Sequence, residues 1–320
     1  MEIYTAAGLS CPALKADNKI MAFIQRNIRA AVIPFVLFVC VSLEAREIKS
    51  SVICSLDWEQ MRIDAELSVD LAAAGIRLPS GRTQAEEILF SHYFDRVRPF
   101  ILSIRLDSSS LIGDLVESGE ISPALVDALA SQASRQAPKY SLDFQTIGSG
   151  YVIDLKNVSS KLAGHKQNTR MTRVINPPPV AEYTGIIIIA QDKLPVHGRK
   201  DSEELLPCLF PKIWDTEMNL IYDKGMTKPG WAADFAMVHY TSVDSIFQDT
   251  PSGLSLALQE IVGNRPLRII ARGVFGINPT DPVIDRVDAL TIISSEANKQ
   301  LLSEGRVAFI APAAVLSKDL

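Results

Sequence analysis

Residues able to do chemistry are scattered along this chain. The histidines are His92, His165, His197 and His239. No two stand at the spacing that sets metal ligands on one helical face, and neither Cys-x-x-Cys nor His-Glu-x-x-His occurs. His239, beside Tyr240 in an apolar segment, reads as a hydrogen-bonded core or boundary histidine. No Gly-x-Ser-x-Gly elbow is present, and three places after Ser55, where Ser-x-x-Lys needs lysine, stands Trp58. Glu203-Glu204 fall in a loop, and Asp281, Asp285 and Asp288 are expected beside turns. Gly148-Ser149-Gly150 is followed by alternating Val152, Asp154 and Lys156, so it reads as a hairpin turn. A phosphate loop would instead lead into a helix. The reading therefore assigns no catalytic residue, no cofactor, no metal ligand and no enzyme activity.

A chain of 320 residues suffices for two domains with real cores, and 47% apolar with 22% charged residues marks a folded protein. A net charge of −5, with basic residues in short interrupted runs at 161–173 and 193–200, gives no reason to expect nucleic acid.

Residues 1–45 are read as a signal segment, with Met21 as an alternative start. Arg26 and Arg29 make a positive region, Ala30 to Leu43 are apolar, and Leu43-Glu44-Ala45 offers a cleavage site. The apolar run is short for a bilayer span. Retention as an N-terminal anchor is the alternative, and the expected membrane contact is through that uncleaved segment alone. Leu37-Phe38-Val39 before Cys40 does not make a lipobox. Beyond the segment only Cys54 and Cys208 remain, either paired or as buried free thiols.

The first domain is placed at 52–163. Ile63, Ala65, Leu67, Val69 and Leu71 alternate with polar residues, the mark of a half-buried strand. Thr83 and Glu86 suit a capping box for a helix to Leu106, its apolar face Ala85, Ile88, Leu89, Tyr93, Val97 and Ile101, with Pro99 kinking or dividing it. Asp107 to Ser110 would cap a helix to Glu117, and Ser122-Pro123 would open one to Gln136. Two strands about the glycine turn complete an α+β unit with helices on one face of an antiparallel sheet.

Residues 164–181 form a polar linker ending in Pro177-Pro178-Pro179. The second domain, 182–320, opens on Tyr183-Thr184-Gly185 and the run Ile186–Ile189, a strand buried on both faces. A polar loop at 191–206 follows, then Pro207 and Pro211 bracketing an extended segment, Lys212, Trp214, a turn at Asp215–Asn219, and a strand holding Tyr222. Further on come a helix from Leu254 to Val262, one strand from Arg265 to Val274 with Arg268 and Arg272 outward, and a strand from Asp288 to Ile293. A helix at Glu296–Ser303 and a strand at Val307–Ile310 close the pattern. The fold class expected is α+β, two small domains of mainly antiparallel sheets after the signal segment.

Tyr183-Thr184-Gly185, the apolar run, Leu206-Pro207 with Pro211-Lys212-Ile213, and Asn219-Leu220-Ile221-Tyr222-Asp223 together resemble the core of FlgP-like flagellar lipoproteins. The run from Gly263 to Ile310 resembles the C-terminal half of that group. The usual continuation Ile-Asp-Ala-Arg-Gly is absent, since only Ala190 matches. The resemblance implies a non-enzymatic, exported structural or assembly protein of the flagellar motor, in the periplasm, with protein partners or self-association. An envelope-binding module without a motility role is the alternative. Tyr183, Gly185, Pro207, Pro211, Lys212, Trp214, Tyr222, Arg268 and Arg272 are the candidate interaction and scaffold residues.

Overall fold

A computed structural model describes residues 50–163, 174–228 and 236–319. The expected signal segment, with Cys40 and Met21, lies outside them, as do His165 with linker residues 164–173 and the Pro229-Gly230 loop.

Alternation builds the first sheet. Strands β1 (Ser50–Asp57) and β2 (Arg62–Asp70) pair antiparallel over their length, turning next to buried Trp58. Ile63, Ala65, Leu67 and Val69 of β2 are buried, while Glu66 and its polar neighbours face the wetter side. Helix α1 (Arg82–Leu102) lies on the dry face through Ala85, Leu89, Tyr93, Val97, Phe100 and Ile101. The Thr83–Glu86 capping box does not form. The helix starts two residues earlier, at a Gly81 cap without a side-chain bond, and Glu86 accepts from Arg82 Nε at 2.9 Å. Pro99 does not divide the helix; it sits in the last turn, with only Phe100 to Leu102 after it.

Helix α2 (Ile112–Glu117) is capped by Asp114, which accepts from the Leu111 N–H at 2.7 Å. The expected cap, Asp107, instead accepts from the N–H and hydroxyl groups of Ser109 and Ser110. Helix α3 (Pro123–Ser131) opens on its proline but stops short of Gln136, since β3 (Ser134–Arg135) and β4 (Lys139–Tyr140) follow. The glycine turn is a further correction. Gly148 and Gly150 lie inside β5 (Thr146–Asp154), paired to β2, and the turn is at 141–145. Gln136 lies over Gly150, and a Cβ there would stand 2.8 Å from its Oε1, so the Gln136 side chain would have to shift to admit one. Asp154 caps helix α4 (Leu155–Leu162), which replaces the expected strand through Lys156.

In the second half, β6 (Ile186–Ile189) is followed by β7 (Leu194–Pro195), β8 (Ser202–Glu203), β9 (Ile213–Asp215), β10 (Leu220–Tyr222) and β11 (His239–Thr241). Then come α5 (Leu256–Val262), β12 (Leu267–Ile270), β13 (Gly273–Phe275) and β14 (Asp281–Ile284). Helices α6 (Arg286–Ile293) and α7 (Glu296–Ser303), strand β15 (Val307–Ile310), helix α8 (Ala313–Leu316) and strand β16 (Ser317–Asp319) complete the chain. Strands β11-β15-β6-β12 form a wholly parallel sheet. Its faces are both covered: Ile186 and Ile188 enter the main core, while Ile187 packs with Leu258 and Val262 of α5. That explains the four isoleucines, because a parallel strand buried on both sides has no wet face to alternate toward.

Three expectations change in this half. Arg265–Val274 is two strands in different sheets, β12 on β6 and β13 on β14, with the switch at Ala271-Arg272. Asp288–Ile293 is helical; Asp285 caps α6 by accepting from the Val287 N–H, and Ala289, Ile292 and Ile293 bury one face. Asp281-Pro282, expected as a turn, begins β14. The second sheet of this half runs β10-β9-β14-β13, with mixed directions.

The fold is α+β in two domains, its strand pairs mostly antiparallel outside the parallel sheet. One hydrophobic core runs through both halves, from Cys54 to Leu316. The first sheet is completed from the far end of the chain, since β16 pairs antiparallel with β1 over Ser55–Asp57. Among the described residues no helix is long and apolar enough to cross a membrane.

Candidate functional site

The segment between the two prolines does not present itself to solvent. Leu205, Pro207, Cys208, Leu209, Phe210 and Pro211 are all buried. Leu209 and Phe210 donate their N–H groups to the carbonyls of Arg105 and Leu106, at 3.1 and 2.8 Å. The prolines thus hold an extended run against the first domain, where a helix would turn half of its residues away. Tyr240 closes the other side: its hydroxyl accepts from the Cys208 N–H at 3.1 Å and donates to the Cys208 carbonyl at 3.0 Å. Its ring meets Trp58 of the first domain edge to face at 5.7 Å.

Asp281 is the polar centre of this seam. Fully buried, it accepts from the Lys212 N–H at 3.1 Å, the Trp214 Nε1–H at 3.2 Å and the Thr280 hydroxyl at 3.0 Å. The Ser108 hydroxyl also bonds it, from the first domain. Burial pushes its carboxyl above the usual range, and these bonds offset only part of that. Asp215, equally buried, shows the opposite balance. Burial alone would raise it, but bonds from Asn219, Arg286 and the Glu217 N–H hold it below the usual range. Sequence reading passed over Asp281 and Ser108, since a lone aspartate beside a proline looks like a turn.

The candidate residues fall in three places. Pro207, Pro211, Lys212 and Trp214 meet at the seam, and Tyr222, fully buried on β10, donates its hydroxyl to the Met237 carbonyl at 3.1 Å. Tyr183 and Gly185 lead into β6: the Tyr183 N–H donates to Asn298 Oδ1 at 3.1 Å. Gly185 passes so near α5 that a Cβ would lie 2.4 Å from the Val262 Cα. Arg268 and Arg272 stand apart, exposed, the first donating to the Ser252 carbonyl at 2.8 Å and the second 3.5 Å from Asp285. The 191–206 loop is partly pinned, for Val196 is buried and the His197 N–H donates to the Val274 carbonyl at 2.8 Å. Arg199 pairs with Asp201 at its tip.

His239 has a displaced titration. Burial, helped by the charge of Lys156, lowers it to about 4. Cys54 and Cys208 are free and buried, and burial pushes both thiols up, the wrong direction for a nucleophile. Among the described residues no group of three or more His, Cys, Asp or Glu side chains is placed to hold a metal ion.

Among the described residues, β12 and β1 each have an edge without a full strand partner. Strand β12 pairs only with β6, and its outer edge carries exposed Arg268 and Ile270 after Arg265-Pro266. On β1, β16 covers only Ser55–Asp57, leaving Ser50–Cys54 without a neighbour on that side among the described residues. The Trp58 N–H reaches the Leu316 carbonyl on this edge at 2.9 Å, so by the two-residue repeat the Val52 N–H and C=O point the same way. A groove of ≈ 550 Å³ runs beside it, bordered by Val52, Cys54, Arg96 and Phe100. Nothing in Ser-Ser-Val-Ile-Cys supplies the charge, proline or bulge that usually guards such an edge.

Comparison with known families gives a match for each domain. Residues 49–161 match the family described as Treponema pallidum Tp0624, N-terminal domain, and residues 185–313 match Treponema pallidum Tp0624, second domain. No curated protein matches the chain.

Proposed function

With its two domains similar, in the same order, to the N-terminal and second domains of Treponema pallidum Tp0624, we propose that this chain is a non-enzymatic assembly protein. It is exported and works at the flagellar motor in the periplasm by strand addition to open sheet edges. The observation that carries the mechanism is the unguarded Ser50–Cys54 edge of β1, on a sheet whose centre is the long antiparallel β1–β2 and β2–β5 pairs. An extended partner segment, or a second copy, would add main-chain bonds there and drop alternate side chains into the groove under α1. The motor assignment rests on the resemblance of residues 183–223 to FlgP-like lipoproteins. An envelope module that binds peptidoglycan or an envelope protein is the second reading, and the same edge would serve it.

Deletion of the gene, followed by a motility assay and electron cryo-tomography of the motor, tests the place. Loss of a periplasmic density, restored by the wild-type gene, supports the motor reading; normal swimming with an intact motor leaves the envelope module. Complementation with Val52→Pro tests the edge. Proline there removes an N–H that faces outward, so the β1–β2 ladder survives while addition is blocked. Full rescue by that variant would remove the edge from the mechanism.

A further inference from the structure

The hairpin between β4 and β5 ends in Ser141-Leu142-Asp143-Phe144-Gln145. Leu142 is fully exposed, at 103%, and Phe144 is 64% exposed. The tip is nonetheless tightly made. Ser141 and Thr146 exchange backbone and hydroxyl bonds, the Phe144 N–H donates to the Ser141 carbonyl at 3.0 Å, and the Leu71 N–H donates to the Gln145 carbonyl at 2.8 Å. Phe144 has φ of 55°, a conformation unfavourable for a bulky residue. A glycine or asparagine would adopt it with less strain and leave no ring in water. Two large apolar side chains held out on a hydrogen-bonded turn, at a backbone cost, are suited to a surface that takes up hydrocarbon.

The register says where that surface lies. Ser50 is opposite Val69, Val69 opposite Ile147, and Tyr140 opposite Ile147. The hairpin tip and the entry of the chain at Ser50 are therefore at the same end of the sheet. The apolar run Ala30–Leu43 ends seven positions before Ser50 in sequence, a reach of roughly 23 Å at full extension. If that run is kept in a bilayer, the tether holds this end of the sheet within reach of the membrane surface. Lys139 is exposed on β4 beside the tip.

We infer that the Leu142/Phe144 hairpin tip is a second membrane contact, inserting into the headgroup and acyl boundary of a phospholipid bilayer. This rests on the export reading above, in its form where the apolar segment stays as an anchor. Asp143 limits the depth. The Ser141 hydroxyl and the Gln145 N–H hold its carboxyl below the usual range, so it stays charged and the tip goes no deeper than the headgroups. The contact is the interfacial kind, in which apolar side chains enter only the outer few ångströms.

The described residues from Ser50 onward belong to one compact unit, so the chain from Arg46 onward tests the tip without the apolar run. The test is co-sedimentation with vesicles of phosphatidylethanolamine and phosphatidylglycerol. The expected result is binding that falls about tenfold or more in Leu142→Ser/Phe144→Ser, with thermal stability retained because both side chains are in solvent. Phe144→Gly adds a control: it relieves the backbone, so stability should hold or rise while binding drops. Equal binding by wild type and the double variant, or no binding by either, overturns the inference. Cell fractionation separates it from the export reading. A cytoplasmic protein with tip-dependent vesicle binding ends the export reading alone, whereas a periplasmic one whose vesicle binding ignores the tip ends the membrane contact alone.

Discussion

The two large sheets solve the same problem in opposite ways. The β1–β2–β5 sheet keeps one face wet, so its strands alternate: Ile63, Ala65, Leu67 and Val69 go in and their neighbours stay out. The β11-β15-β6-β12 sheet is covered on both sides, and its central strand is isoleucine throughout. The edges differ in the opposite sense. The buried sheet ends on β12, bordered by Arg265, Pro266, Arg268 and Arg272, all obstacles to a further strand. The half-wet sheet ends on five uncharged residues. Burial of faces thus says little about openness of edges, and the edge left without charges belongs to the sheet with the simpler sequence pattern.

One substitution placed in both sheets gives the largest contrast. Ile188→Lys puts a charge in the fully buried centre of the parallel sheet, and a loss of more than about 4 kcal/mol is expected, enough to unfold that half. Ile53→Lys, on the wet face of β1 and opposite Glu66, should stay within about 0.5 kcal/mol of wild type. Urea unfolding followed by circular dichroism reads both, and similar midpoints would mean that the face assignments are wrong.

At the seam between the halves, Asp281→Asn keeps the shape but turns an amide toward groups that all donate. A loss of about 2–3 kcal/mol is expected. If the variant matches wild type in the same unfolding assay, Asp281 does not hold the seam. Gly185→Ala drives a methyl into the Val262 backbone, and roughly 1–3 kcal/mol should go with it, unless β6 and α5 can separate.

The smallest expected effect is a pH dependence. His239 titrates at about 4 in the folded chain against the usual 6.5, so the folded state prefers the neutral ring. Stability from it is present above pH 6.5 and declines as pH falls toward 4. A stability profile across that window should be flatter in His239→Gln than in wild type. Parallel profiles would assign the acid sensitivity to other groups.

Legibility followed the physics of each segment. The β2 alternation, the Ile186–Ile189 run and the helix between Ser295 and Gly305 could be read because one period and one pair of end signals agreed in each. Strand β1 was missed because Ser-Ser-Val-Ile-Cys-Ser exposes Ile53 on an open edge and so breaks the expected alternation. Asp288–Ile293 looked like a strand from Leu-Thr-Ile-Ile, but the Asp285 cap and burial at Ala289, Ile292 and Ile293 favour a helix. The glycine pair looked like a turn, whereas both lie inside β5, Gly148 near the Leu67 carbonyl and Gly150 under Gln136. Of the candidate site, the extended segment bracketed by Pro207 and Pro211 was legible. Its purpose was not, because the groups it grips, Arg105, Leu106 and Ser108, come from another domain a hundred residues earlier.

The pairing of β16 with β1 also has a mechanical meaning. The two run antiparallel with Asp319 opposite Ser55, so the chain leaves β16 toward the end at which β1 begins. Tension applied through Ser50 and Asp319 would load that pair as a zipper, opening its bonds one after another, and would not shear them together. Under pull from those two points, β16 would peel away first and at low force, exposing the rest of the β1 edge before the core of either half was strained.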